Sequence, residues 1–339
     1  MNPEIKIYID NLTLFKTIGI AFIASIVLIL LIIKLNKALN IYDVPNERKI
    51  HKYKTPTLGG IGIIGALIIA YILTGKYYIS VYFWLSLFIL FITGILDDVK
   101  GLRWHQKLLL QTLSAVIFIS TGFNYSILFQ NPLLSFVPVF IQPVLIGILI
   151  VLYINSFNLI DGMDGLAGGI AIINFSILGI FNYYFGNNAV AWVCFALVGS
   201  LLGFLVFNTH PAKIFMGDTG SMSLGFLLVM VSFYTYQFYY HIPDVQITEK
   251  YMFLWVIGGI LFLPFADAVR VFFSRIINKK LPYMPGKDHI HHILNRSGLS
   301  QKNTVLLLYG INLLFVLTGI IIYLNKPLSL IVSVLLLKI

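Results

Sequence analysis

The sequence predicts an all-α integral membrane protein, a bundle of about 10–11 transmembrane helices. Three observations lead there. Of 339 residues, 59% are hydrophobic and only 11% are charged. Soluble domains carry about 25% charged residues, so this chain cannot cover a water-facing surface. The apolar residues fall in runs close to the ~20 residues that cross a bilayer as a helix. Lys and Arg gather in alternate loops between those runs, the pattern of a multi-pass chain with one cytoplasmic side.

The runs cover roughly residues 14–35, 58–74, 78–96, 107–122, 139–157, 166–186, 188–207, 221–240, 251–277 and 303–324, with a shorter stretch at 327–339. The first is too long for a signal-peptide core and no small-residue cleavage site follows it, so it reads as a retained helix. No internal repeat or low-complexity tract divides the chain, which reads as one polytopic domain over 1–339. If each run crosses, residues 34–57, 97–107, 158–165, 208–220 and 270–302 share one side. Every Arg lies in that set, and only Lys6, Lys16, Lys76, Lys250 and Lys326 fall in the other, Lys338 following the final stretch. The basic set is therefore expected in the cytoplasm and the N-terminus outside. The net charge of +10 then reflects cytoplasmic loops facing anionic lipid, with no nucleic-acid partner. The single Cys194 excludes an intramolecular disulfide.

The groups capable of chemistry sit on the same side. Asp97 and Asp98 end the third run, where adjacent carboxylates repel unless a cation or shared proton relieves them. Mg²⁺ suits such a place, because it takes one or two carboxylates plus substrate phosphates. Lys107 opens the next run and can meet a phosphate as a point charge. Asn158, Asp161 and Asp164 stand in NLIDGMDGLAGG, whose glycines let a backbone approach a ligand. Asp218 lies between glycines in FMGDTGS at the start of a run, where N–H groups and a carboxylate meet phosphate and metal. His289, His291 and His292 crowd a basic loop and suit either zinc or, when protonated, a diphosphate. Lys49, His51 and Thr57 precede Gly59-Gly60 and join basic residues to a close backbone approach. Each cluster alone also fits an ordinary turn, helix cap or interfacial anchor. Their convergence on one membrane face points to a metal–diphosphate site.

In order, DVPNERKIHKYKTPTLGG, DDVKGLRWHQKLLLQ, NLIDGMDGLAGG, FMGDTGS and DHIHHIL resemble the motifs of the polyprenyl-phosphate N-acetylhexosamine-1-phosphate transferases, over residues 43–300. The resemblance implies a bundle of about ten transmembrane helices with a cytoplasmic active-site cleft, in the inner membrane of a bacterium. It implies transfer of a sugar phosphate from a UDP-N-acetylhexosamine to undecaprenyl phosphate, with Mg²⁺, or alternatively Mn²⁺, as cofactor. Asp218 matches the metal-binding aspartate, with Asp98 expected beside it on the metal. Asp97 and Asp98 match the essential acidic pair, and Lys107 the lysine at the diphosphate. Asn158, Asp161 and Asp164 match the nucleotide pocket. His289, His291 and His292 match the histidine motif near the diphosphate and sugar, and Lys49, His51 and Thr57 are expected to bind substrate. Ile293 departs from the pattern, since many members carry Arg there.

The DVPNERKIH segment and the DHIHH spacing favour UDP-GlcNAc as donor, while TPTLGG leans toward the phospho-MurNAc-pentapeptide enzymes. A homodimer is a further expectation. A rival reading is a transporter for an anion. It would rest on Asp267 and Arg270, which can pair at i, i+3 inside the ninth run.

Overall fold

The computed structural model describes residues 11–43, 54–75, 79–120, 123–132, 134–279, 281 and 286–325. Lys49, His51 and the stretch 327–339 lie outside the described residues. Ten long helices follow the ten expected runs: α1 (Asn11–Leu39), α2 (Gly59–Thr74), α3 (Val81–Lys100), α4 (Trp104–Ile119), α5 (Gln142–Ile160), α6 (Leu166–Phe185), α7 (Asn188–Asn208), α8 (Gly217–Tyr240), α9 (Ile247–Ile277) and α11 (Gln301–Leu324). A short α10 (Ile290–Arg296) precedes the last, and two-residue strands β1 (Tyr42–Asp43) and β2 (Thr55–Pro56) pair antiparallel.

The all-α membrane expectation holds, with a qualification on span number. Among the described residues, eight helices are long and apolar enough to cross a bilayer. Helices α2 and α4 have 16 residues each, about 24 Å at 1.5 Å per residue, short of a ~30 Å hydrocarbon core. Among the described residues the one strand pair, absent from the sequence-based expectation, joins the two ends of the segment between α1 and α2.

Helix α8 is the centre of the bundle. Of its 24 residues, 18 are buried, and α2, α3, α5, α6, α7 and α9 pack around it. Lipid supplies no hydrophobic drive between helices, so close approach of small residues must supply dispersion contact instead. Glycines do this here: Gly60 of α2 lies against the backbone of Gly220, Gly94 of α3 against Thr219, and Gly225 of α8 against Ile154 and Phe157 of α5. A Cβ on Gly60 or Gly94 would meet α8 backbone well inside van der Waals distance.

Polar side chains latch the helices where backbone groups lack partners. Pro264 interrupts α9. With no N–H, it leaves the carbonyl four residues earlier, at Ile260, without its helical donor. Asn174 of α6 supplies the missing hydrogen, donating from Nδ2 to Ile260 O at 2.8 Å. Asn312 of α11 then donates to Asn174 Oδ1 at 2.9 Å. An unsatisfied carbonyl in a bilayer interior is costly, so one Pro in α9 ties three helices together.

Replacing Asn174 by the similarly sized Leu orphans both Ile260 O and the Asn312 amide. The expected loss is about 1–3 kcal/mol of stability, read as a lower unfolding temperature in detergent with the helical circular dichroism of the folded state unchanged.

Candidate active site

The site grows from the first turn of α8. Residues 215–216 run beside 56–60 as paired backbone: Phe215 N–H donates to Pro56 O at 2.8 Å, and Gly59 and Gly60 donate to Phe215 O and Met216 O at 2.9 Å each. The free N–H groups that open α2 are satisfied this way. Gly217 then turns with φ +71°, a conformation that favours glycine. A side chain there would also strike Asp98 and Thr57.

Helix α8 has no capping side chain of its own. Asp98, from the end of α3, caps it instead. Its Oδ1 accepts from Asp218 N at 2.9 Å, and its Oδ2 from Thr219 N at 3.0 Å and Thr219 Oγ1 at 2.6 Å. A carboxylate on the N-terminal N–H groups is the favourable charge for that end of a helix dipole. Three of the roughly four acceptor directions of Asp98 are thus turned toward α8, so the residue expected as a second metal ligand has little capacity left for a cation.

Asp97 faces the other way. Its Oδ1 accepts from Leu102 N at 2.7 Å, closing the α3–α4 turn, and its Oδ2 pairs with Lys107. Lys107 Nζ also donates to Asp218 Oδ2 at 2.8 Å, bridging α3, α4 and α8. On the far side of Asp218, Asn158 of α5 donates from Nδ2 to Oδ1 at 3.0 Å and to Ser221 Oγ at 2.8 Å. Asp97, Asp98, Lys107, Asn158 and Asp218 come from four helices and meet at one end of the bundle.

The 161–165 loop closes this end. Asn208 pins it, accepting from Gly165 N at 3.0 Å and donating to Ile214 O at 2.8 Å. Tyr309 of α11 donates to Gly165 O at 2.5 Å. Asp164 Oδ2 accepts from Ala212 N at 3.1 Å and pairs with His210 Nδ1 at 2.8 Å. Asp161 has no side-chain hydrogen bond among the described residues. Burial, and after it the charges of Asp218, Asp98 and Asp164, pushes its carboxyl up to about 8. The resulting cleft holds about 490 Å³, within the usual range for small-molecule sites. Thr57, Asp97, Asp98, Asn158, Asp161, Asp164, Asp218 and His292 line it. So do Tyr42, Asp43, Phe215 and Gln301, which the sequence reading passed over. Asp43 and Phe215 stand inside motifs already singled out. Tyr42 and Gln301 carry no local signal.

The three histidines have different surroundings. Only His292 lines the cleft. His291 is buried against Gly162, and burial, followed by the nearby charges of His292 and His289, pushes its imidazole down to about 3. His292 is lowered as well, by burial, then His289, Arg296 and Lys287. Burial and mutual repulsion therefore oppose a protonated His291 and His292. Among the described residues no three His, Cys, Asp or Glu are placed to hold a metal ion, which leaves zinc without a ligand set there. His289 points away, to Asp267 of α9 at 2.9 Å. Asp267 pairs with Arg270 at 2.7 Å, as the spacing suggested, but its contact with the histidine segment was not foreseen.

Residues 80–236 match the sequence profile of glycosyl transferase family 4. A Bacillus subtilis protein named probable undecaprenyl-phosphate N-acetylglucosaminyl 1-phosphate transferase is 33% identical over 312 residues, covering 90% of this chain and 84% of that protein. A phospho-N-acetylmuramoyl-pentapeptide-transferase of Oceanobacillus iheyensis is 32% identical, covering 92% of this chain and 98% of its own. An undecaprenyl-phosphate α-N-acetylglucosaminyl 1-phosphate transferase of Yersinia pestis is 26% identical, covering 88% and 82%.

The raised Asp161 has a consequence for stability. Its carboxyl ionises at ordinary acidic pH when unfolded but only near 8 when folded, so the folded state binds the extra proton between those limits and stability falls as pH rises through them. In EDTA-treated protein, Asp161→Asn should raise the unfolding temperature at about pH 8 and give no gain at about pH 4. Equal shifts at both values would contradict the assignment.

Proposed function

The chain belongs to glycosyl transferase family 4, and we propose that it transfers N-acetylglucosamine 1-phosphate from UDP-GlcNAc to undecaprenyl phosphate at the cytoplasmic face of a bacterial inner membrane, releasing UMP. The observation that carries this reading is the meeting of Asp97, Asn158 and Asp218 in one cleft at one end of an apolar bundle, with Lys107 bridging the two carboxylates. A lipid phosphate can reach such a site from the bilayer and a UDP-sugar from the water.

The reaction forms a bond from an acceptor phosphate oxygen to the β-phosphorus of the UDP-sugar. The bond from that phosphorus to the bridging oxygen breaks, and UMP leaves with the oxygen. Phosphoryl transfer needs position and charge more than covalent help. Lys107 holds Asp97 and Asp218 together and offsets part of their charge. Asn158 orients Asp218 from the other side, and Asp98 fixes the helix end that carries it.

The donor set suits Mg²⁺. The cleft is lined by carboxylates, and Asp161 carries no hydrogen bond there. A site with one or two carboxylates and no protein cage is the kind Mg²⁺ occupies, completed by phosphate and water. Asp218 would hold it, with Asp161 near at hand. When bound, it supplies positive charge to the diphosphate oxygens. A phosphate monoester has its second pKa near ~6, so the acceptor is mostly a dianion at neutral pH and has little proton to give up. Asp97, already engaged by Lys107 and Leu102 N–H, acts in this reading as a holder of Lys107, not as an obligatory base.

The match to the Oceanobacillus protein supports a second donor, UDP-MurNAc-pentapeptide. Both donors should be offered to detergent-solubilised protein with undecaprenyl phosphate and Mg²⁺. UMP and a labelled lipid are expected from UDP-GlcNAc, and both should vanish with EDTA. Asp218→Asn should lower kcat by about 10³-fold or more. Silence with every UDP-N-acetylhexosamine, from folded protein, would overturn the reading.

Asp97→Asn should lower the rate by a similar factor at about pH 6 and about pH 8. A loss confined to the lower pH, with recovery as the acceptor ionises, would instead make Asp97 the base.

A further inference from the structure

Asp267 is a buried carboxylate that the reaction as described does not use. Its side chain is 3% exposed, in a part of α9 where an ionisable group is costly unless it is held. Three donors converge on it. Oδ1 accepts from Arg270 Nη2 at 2.7 Å and from Ile290 N–H at 2.9 Å, and Oδ2 faces His289 Nδ1 at 2.9 Å. A carboxylate serving a guanidinium and a backbone N–H accepts and does not donate. His289 must therefore donate from Nδ1, which fixes its tautomer.

From His289 a row of rings leads to the cleft. The His289 and His291 rings lie nearly parallel, centroids 5.9 Å and planes 8° apart. His291 packs on Gly162 of the 161–165 loop. The His292 ring lies 4.4 Å beyond and lines the cleft. Helix α10, which carries His291 and His292, has seven residues, too few to be stable alone. It packs against α11 and is tied to α9 by the Asp267 contacts with His289 and Ile290. Arg270 also donates to Asp288 O at 2.5 Å, and Arg275 Nε pairs with Asp288 Oδ2 at 3.2 Å. Of these anchors, Asp267 is the one bonded to a histidine ring.

Resting on the transferase reading above, we propose that Asp267 is a positioning residue for donor binding: it holds His289 in its Nδ1–H tautomer and, through the histidine row, sets His292 against the UDP-sugar. The donor is the substrate concerned, because α10 stands on a loop outside the spans. The water-soluble substrate is gripped there. The acceptor's tail lies in the bilayer.

Asp267→Asn is nearly isosteric but turns an N–H toward His289 Nδ1, which forces the opposite tautomer. In detergent-solubilised full-length protein it should unfold at close to the wild-type temperature. It should raise KM for UDP-GlcNAc by about tenfold or more while KM for undecaprenyl phosphate stays within about twofold. Combined with His289→Ala, it should add no further loss, because both changes break one unit. Equal movement of both KM values, or losses that multiply in the double variant, would overturn the proposal. Nitrogen-15 NMR of the wild-type protein, with His289→Gln to assign one signal among seven histidines, reads the tautomer without turnover. A protonated Nδ1 is expected. A bare Nδ1 would overturn the proposal even if Asp267→Asn does not fold. A protonated Nδ1 in a protein that turns over no UDP-sugar would leave the anchor standing and remove the transferase reading.

Discussion

The hold of Asp98 on the first turn of α8 is the contact on which the rest of the site depends. One carboxylate from α3 accepts two backbone N–H groups and one hydroxyl at the helix end. That end carries the positive pole of the helix dipole, so the charge is favourable where it stands. It also sets how far α3 slides along α8. Asp97 is the preceding residue on α3 and Asp218 the second on α8, and their spacing, bridged by Lys107, follows from that register. Gly94 against Thr219 permits the approach, since any side chain there would push the helices apart.

A bilayer imposes the second constraint. Away from the cleft, several polar groups in the bundle pair with one another, as at Asn182 with Thr235, Gln111 with Asn155, and Asn174 with Ile260 and Asn312. Near the cleft the pairing is incomplete. Asp161 lines the cleft with no side-chain hydrogen bond among the described residues, and burial, followed by the charges of its neighbours, pushes its carboxyl up. Packing and these hydrogen bonds hold the frame together, and the carboxylates that line the cleft gather at one end of it. The histidines divide too: His289 and His291 pack into the frame, and His292 lines the cleft.

A good share of this was legible in the chain. Helical spans follow from runs of apolar residues, because they depend only on local composition and length. Asp97, Asp98, Lys107, Asn158, Asp161, Asp164 and Asp218 announced themselves as polar groups at the ends of apolar runs, and all of them gather at the same end of the bundle. The motifs around them were enough to suggest the family.

What the sequence could not convey was the work each group does once helices distant in the chain meet. Asp98 and Asp97 are neighbours, yet one caps a helix 120 positions on and the other holds a lysine. Adjacent helical side chains point about 100° apart, and only the packed bundle decides what each one meets. The histidines looked like one cluster, but their division among anchor, core and cleft depends on Asp267 and Gly162. Local pattern determined that this is a membrane bundle with polar clusters at the ends of its apolar runs. Tertiary contact alone decided which carboxylates cap a helix or hold a lysine and which simply line the cleft, because a hydrogen bond between residues far apart in the chain leaves no trace in the period of either segment.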